Sequence, residues 1–433
     1  MTGAMYAAIG GLKAHMSNLN VIGNNIANCN TYGYKAQRMT FKESMYTTSR
    51  SGSNGGTTAG GNNPSQIGYG CSVGSIDLNM APSTYAPTGY GLDCYIDGEG
   101  FMIVGDKLTW DPEANGGDGA WVGGITKGSE VKNYDLTRVG DLWVDPDGYV
   151  CNRDGKVVYG YARVQNPDYK LPDDPDTRAD NEKSETIIST HLVPLRVPLS
   201  AAKPTADNGG VTGTGADAKN LWEEGDPVYP YLSPQGTNQY ANPGDEATPA
   251  TDAAATGAGK TGVAVAENTD PLATSSVMPI QLKNMNVEKN GAITGIAANG
   301  DTVILGYIAI ASVDSPDGVS HIDGPYYRAM GGAGNVRVSG LGIDPYGDGK
   351  TAYLGNKGRE FTGAAANRDG AEANDAILNE KSTEMKSGGL ESSSTDIATE
   401  FAGMITTQRG YQANTRIITV TDSMLEELVN MKR

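Results

Sequence analysis

The sequence predicts an α+β, multidomain fold, with terminal amphipathic helices forming a coiled-coil-like layer and nested β-rich domains between them. Three observations carry this. Both ends show apolar residues seven apart, the interior alternates apolar runs with Asp-Gly and Asn-Gly pairs, and 59 glycines and 21 prolines in 433 residues favour turns and short strands over a helical body.

The first helix is predicted from Met5, Leu12, Leu19 and Ile26, with Ile9, Met16 and Ile22 widening the stripe to the width of a packed face. Gly3, Gly10, Gly11 and Gly23 each weaken it by roughly 1 kcal/mol relative to Ala, so alone in water it is marginal. Asn24, Asn25, Asn28 and Asn30, then Thr31-Tyr32-Gly33-Tyr34-Lys35, crowd its end, where Asn and Gly suit left-handed caps and turns. The last helix repeats the spacing at Ile397, Met404, Tyr411, Ile418 and Leu425. Its second seam position is poorer, with Gln408, Thr415 and Asp422 between Phe401 and Val429, so the stripe drifts toward Ile417, Met424, Leu428 and Met431. That drift suits several helical neighbours. Ser393 with Asp396 fits a capping box at its start. Both ends are expected to become ordered when their stripes meet those of neighbouring copies. Two helices packed together on one globular domain is the alternative.

Between the helices, residues 46–70 turn to Ser, Gly, Thr and Asn and read as a connector. From Cys71 to Val164 a β-rich block follows, with hairpin turns at Asp97-Gly98, Asp147-Gly148 and Asp154-Gly155. Residues 165–277 are acidic and rich in Pro, Ala, Thr and Gly. Strands return at 278–334, with turns at Asn290-Gly291 and Asn299-Gly300, before a polar stretch over 335–390. The predicted division is therefore 1–45 plus 391–433, 46–70, 71–164 plus 278–334, 165–277, and 335–390.

A net charge of −18 argues against nucleic acid and anionic membrane as partners. The longest apolar run, near Ile304 to Val313, is about half the length that a membrane span needs. The N-terminus lacks the basic region, apolar core and cleavage site of a secretory leader. Four well-separated cysteines, Cys29, Cys71, Cys94 and Cys151, read as isolated thiols. Catalytic, cofactor and metal sites are all expected to be absent. His15, His191 and His321 are dispersed, and neither a G-x-S-x-G elbow nor a P-loop occurs. Asp145, Asp147 and Asp154 fit hairpin turns better than a calcium loop, because Gly148 comes too early. Asp93 and Glu99, the best acid and base pair, have no partner signal.

The run from Asn18 to Asn28 with Thr31-Tyr32-Gly33-Tyr34-Lys35 resembles the N-terminal signature of bacterial flagellar rod and hook proteins. Glu400-Phe401, Met404-Ile405, Gln408-Arg409-Gly410-Tyr411-Gln412-Ala413-Asn414 and the closing Met424 to Arg433 resemble the matching C-terminal signature. Leu92-Asp93, Ile96 to Phe101, Thr137 to Asp141 and Gly388 to Ser393 extend the likeness, while Cys94 and Tyr95 depart from the family's aliphatic residues. A local packing change is expected there. Asn24, Asn25, Asn28, Gly33, Lys35, Gln408, Arg409 and Asn414 are the matched motif residues. The resemblance implies an inner helical polymerisation layer, a middle β domain and an outward-facing insertion. In the family, a long connector and a large insertion mark hooks. The implied function is a structural subunit that self-assembles into a curved tube and transmits torque, with a distal rod protein or a secreted β-rich adhesin as alternatives. The implied partners are further copies, the distal rod protein, the hook cap protein, the hook-filament junction protein and the flagellar type III export apparatus. The implied location is extracellular, reached without a cleaved signal peptide. The expected assembly interface is Met5, Ile9, Leu12, Met16, Leu19, Ile22, Ile26, Ile397, Phe401, Met404, Tyr411, Ile418, Leu425 and Leu428.

Overall fold

The computed structural model describes residues 2–52, 60–107, 134–165, 192–200, 279–297, 300, 302–329, 332–334, 336–341 and 383–431. It also describes short strands at 109–111, 120–122, 186–188, 211–212, 219–220, 227–228 and 352–354. Most of the acidic middle, 165–277, and of the polar stretch, 335–390, lies outside these residues. The fold is α+β. It divides into two units, one made of Met1–Ser83 with Ser392–Arg433 and the other of Thr84–Glu391.

The first unit holds helix α1 (Thr2–Ala27) and helix α2 (Ile397–Met431). Strand β1 (Gln37–Glu43) pairs antiparallel with β4 (Cys71–Leu78), and β2 (Tyr46–Arg50) pairs with β3 (Ser65–Gly68). Helix α1 stops in the asparagine-rich stretch as predicted. Asn28 donates its amide to Asn24 O, Thr31 N donates to Asn28 O, and Gly33 turns the chain at φ 70°, where a side chain would be strained. The stretch read as a connector, 46–70, thus carries a pair of strands: Thr and Tyr favour a ladder that Gly and Ser composition hides. The boundary read at residue 71 also differs. Cys71–Leu78 completes the sheet begun by Gln37–Glu43, because register opposite β1 outweighs sequence proximity to the next β block.

The second unit is built on an antiparallel sheet. Along its main path the strands run Lys283–Val287, Ala292–Ile296, Thr302–Ile308, Val157–Gln165, Phe101–Gly105, Tyr134–Thr137, Tyr326–Ala329 and Val319–His321. Segments from before and after the acidic middle meet here, for example where Tyr161 lies opposite Tyr307. Ile96, Met102, Val104, Val158, Ile293, Ile308, Ile310 and Met385 are fully buried together as a dry core. Gly98, Gly148, Gly155, Gly291 and Gly300 all have positive φ, as the predicted turns require.

Two short strands near the end of the polar stretch belong to this unit as well. Glu384–Ser387 pairs with Cys94–Asp97, and Gly389–Glu391 pairs with Tyr85–Pro87. Met385 is their apolar anchor in the core. At Cys94 the thiol is buried 3.8 Å from Met102 Sδ, and a Cβ on Gly140 would come within 2.5 Å of its Sγ, so the small Cys side chain fits where a branched aliphatic would collide. Burial pushes the Cys94 thiol pKa upward. The four cysteines are free, with Cys94 and Cys151 buried.

Arg138 locks the two halves of this unit. Its Nε donates to Glu391 Oε2 at 2.9 Å, Nη1 to Gly98 O at 3.0 Å and Gly100 O at 2.9 Å, and Nη2 to Ile96 O at 3.0 Å. A longer contact of 3.5 Å joins Nη2 to Glu391 Oε1. The side chains are 2% and 0% exposed, so the charge is tolerated only because every guanidinium N–H has an acceptor.

Candidate functional site

The helix pair is the place where both family signatures meet. Asn18 Nδ2 donates to Thr407 Oγ1 at 2.9 Å and Asn25 Nδ2 to Glu400 Oε1 at 2.8 Å. Between and beyond these, Gly11 abuts Asn414, Gly410 abuts the His15 ring, and Gly403 abuts Ile22. As residue numbers rise along α1 they fall in step along α2, so the helices run antiparallel in one register. A Cβ on Gly11 would lie 2.7 Å from Asn414 Nδ2, and one on Gly410 would lie 2.7 Å from His15 Cε1. The glycines allow the backbones their close approach.

The seam is therefore small and polar, which corrects the apolar seam that the spacing predicts. Ala8, Gly11, Ala14, Asn25, Thr407 and Thr421 are buried, together with Val21 and Ile22. Of the expected interface residues, only Ile22 is buried. Met5, Ile9, Leu12, Leu19, Ile26, Met404, Tyr411, Ile418 and Leu425 are half-buried beside the seam, and Met16, Ile397, Phe401 and Leu428 are exposed. The physical reason is steric. Small side chains permit the tight crossing, and the large ones are displaced to its flanks. The same seven-residue spacing of Glu400, Thr407, Asn414 and Thr421, with Gly403 and Gly410 between, was the overlooked signal.

Apolar exposure concentrates at the C-terminal part of α2. In the observed register Thr2 lies level with about residue 423, so the last two turns of α2 run roughly 12 Å past the start of α1. Met424, Leu428, Val429 and Met431 on those turns are 51%, 42%, 69% and 76% exposed. Exposed apolar side chains grouped in this way mark an interaction surface.

The N-terminal motif residues hold the opposite end of the helix pair, beside Glu400. Asn25 is 1% exposed and fully satisfied. Besides Glu400, its Nδ2 donates to Gln37 O at 2.8 Å, while its Oδ1 accepts Gln37 N at 2.9 Å and the Tyr34 hydroxyl at 3.0 Å. One side chain thus joins α1, the turn, the start of β1 and α2. Asn24 Nδ2 donates to Tyr34 Oη, Asn28 Nδ2 donates to Asn24 O, and Lys35 Nζ donates to Ala81 O at 2.8 Å. Burial, and next the charge of Glu400, push the Tyr34 phenol up to about 12. Asn414 lies in the seam, whereas Gln408 and Arg409 are exposed. Ser393 does not cap α2. Asp396 stands one residue before the helix and accepts Ala398 N at 3.1 Å and Thr399 Oγ1 at 2.6 Å, so the nearer acid takes the first-turn donors. These bonds hold the Asp396 carboxyl below its ordinary range.

Of the acids weighed for chemistry, Asp93, Asp145, Asp147 and Asp154 make structural contacts. Asp145 Oδ1 accepts Tyr149 N at 2.8 Å, Lys107 bridges Asp145 and Asp147, and Asp154 Oδ2 accepts the Tyr326 hydroxyl. Asp93 accepts Thr88 Oγ1, and burial raises its pKa. His15 lies on α1 and His321 packs edge-on to Tyr327, while His191 is outside the described residues. No helix among the described residues is long and apolar enough to cross a membrane.

Residues 5–35 match the model of the flagella basal body rod protein family, and residues 386–431 match that of the C-terminal part of the flagellar basal body rod FlgEFG proteins. The chain belongs to the flagellar rod and hook protein family. It is 26% identical to the flagellar hook protein FlgE of Borreliella burgdorferi over the whole of both chains, and 25% identical, again end to end, to the flagellar basal-body rod protein FlgG of Bacillus subtilis. Salmonella typhimurium FlgE is 24% identical over 98% of this chain and 99% of its own. A crystal structure of Helicobacter pylori flagellar hook protein FlgE2 aligns with 64% of this chain and all of its own at 14% identity and a TM-score of 0.25, too slight a likeness to describe the fold.

Proposed function

We infer that the chain is a structural subunit of the bacterial flagellar hook. The observation that carries the mechanism is the outward placement of large apolar side chains on a helix pair whose seam is already filled. Such a pair cannot hide Leu428, Met424 or Phe401 by closing further. A neighbouring copy can cover them, each contributing about 1.5–3 kcal/mol when fully buried. Repetition of one unlike-to-unlike contact that does not close yields a tube instead of a fixed oligomer. On this reading α1 and α2 form a coiled-coil-like polymerisation layer.

The work is mechanical, the transmission of torque by a bending tube, and not catalysis. Partners on this reading are the distal rod protein, the hook cap protein, the hook-filament junction protein and the type III export apparatus, and the assembled location is extracellular. The rod alternative is supported by the Bacillus subtilis likeness, but hook proteins recur among relatives aligned over at least 98% of the chain.

The test is the double variant Ile418→Asp with Leu425→Asp. The monomer should keep its helical content while polymer is lost in sedimentation and negative-stain microscopy. Normal polymer from the folded double variant would remove the assembly reading. Immunogold labelling of residues 170–275 on native cells then separates hook from rod, since label on a short curved segment is expected and label on the straight rod would favour the alternative.

A further inference from the structure

We propose that a cleft in the β unit binds an organic cation, an ammonium or guanidinium carried on an apolar stem. The site lies wholly within the β unit and does not rest on the assembly reading.

The cleft has a volume of about 820 Å³, in the range of small-ligand sites. Its walls come from the loop 89–93, the strand Leu142–Val144 with Arg153 beside it, and the strand Lys283–Val287. Loop and last strand are fixed together. A Cβ on Gly91 would lie 2.3 Å from Met285 O, and Val287 N donates to Gly91 O at 3.3 Å. The register of that strand slips between Lys283 and Asn286, and Asn284 takes φ 50°. Strict alternation is thereby broken, and the consecutive residues Asn284 and Met285 both line the cleft. Leu92, Leu282 and Met285 form an apolar wall packed against the core. Tyr90 and Trp143 add exposed rings, and Trp143 is held by donation of its Nε1 to Asn152 O at 2.8 Å.

The charges of the cleft are unbalanced. Cys94 N donates to Gly140 O at 2.9 Å in an antiparallel bridge, a register that sets Asp93 opposite Asp141. Like charges directly opposite one another repel. Of the lining residues only Arg153 is a cation, and its Nε is paired with Asp141 Oδ2. Lys283 does not line the cleft. Asp93 is 4% exposed, and its Oδ2 accepts a hydrogen bond from the neutral Thr88 hydroxyl, while its Oδ1 accepts none from the described residues. Burial first, and the Asp141 charge less strongly, raise its pKa. A buried carboxylate short of a charged partner is costly. An entering guanidinium or ammonium supplies both the missing charge and a donor to Oδ1. Its stem covers Leu282 and Met285, and the rings of Tyr90 and Trp143 offer it their negative faces. Among the described residues no group of three or more His, Cys, Asp or Glu could hold a metal ion, so the apolar wall and the rings favour an organic cation. That cation is a free amine or the Lys or Arg side chain of a second copy.

The experiment is ligand-observed saturation-transfer NMR on the full-length chain, titrated with n-butylguanidinium and with its neutral counterpart n-butylurea. The guanidinium should bind at least about ten-fold more tightly, the effect of a hydrogen bond to a charged group, and its affinity should fall as salt is added. Asp93→Asn keeps an acceptor for Thr88 but removes the charge, and should weaken binding about ten-fold. Asp141→Asn also releases Arg153 to repel the ligand and should weaken binding at least as much. Repeating the titration on sedimented polymer assigns the source: a site for a free amine takes up the probe there as in the monomer, and a site filled by a second copy's side chain excludes it. Equal affinity for the two probes, or no binding of n-butylguanidinium to the monomer, would overturn the proposal. So would unchanged affinity in whichever of the two variants keeps the circular dichroism spectrum of the natural chain.

Discussion

The β unit hides its large apolar side chains, whereas the helical unit hides its small and polar ones. Ile103, Val104, Val158 and Ile308 are wholly buried, while Phe401, Ile405, Val420 and Val429 are at least half exposed. The β unit has the packing of a finished core. The helical unit has a seam specified by hydrogen bonds and close backbone approach, with much of its large apolar surface left on the outside. In one chain, large apolar side chains are buried for stability in one place and, on the function proposed above, left exposed for association in another.

The comparison can be broken most severely at Arg138. Glu391→Gln leaves the guanidinium buried without its counter-charge, and a loss of about 3–5 kcal/mol is expected in the β unit's stability, read as an earlier transition in urea followed by tryptophan fluorescence. The helical unit offers a smaller target at Asn25. Replacement by Ala leaves the Gln37 amide and carbonyl without their side-chain partners and should cost about 2–3 kcal/mol, seen as faster hydrogen exchange over 24–37 with little change in the β core. Asp396→Ala is the mildest, a small loss read as fraying of the first turn of α2. Its pH dependence has a definite sign. A carboxyl held below its ordinary range in the folded chain stabilises the helix start above about pH 4 and loses that contribution as the pH falls through the lowered value. The natural chain should therefore show acid fraying of α2 over 397–400 that Asp396→Ala does not show.

Much of the fold was legible because it rests on local rules. The asparagine-rich stop of α1 and the Asp-Gly and Asn-Gly turns depend on backbone conformations that only a few residues adopt, and these declare themselves in sequence. The seam of the helix pair was not legible in the same way. Periodicity ranks residues by hydrophobicity, so Met404 and Ile418 stood out while Gly403, Thr407 and Gly410 did not, although the latter set the crossing. The role of Asn25 was visible only as a motif. Its four hydrogen bonds connect positions 12 and 375 residues away, and no local rule reports such distances. Glu391 was hidden for the same reason, since its partner lies 253 residues earlier.

The bond between Arg138 and Glu391 also sets a schedule. The β unit has no counter-charge for its buried guanidinium, and no Met385 in its core, until nearly nine-tenths of the chain has been delivered. The helical unit must wait longer still, for Glu400, Thr407 and Asn414. Loop closure over several hundred residues is slow compared with local turns. A chain growing from its N-terminus therefore completes neither the Arg138 ion pair nor the helix pair until residues 391–414 have been made.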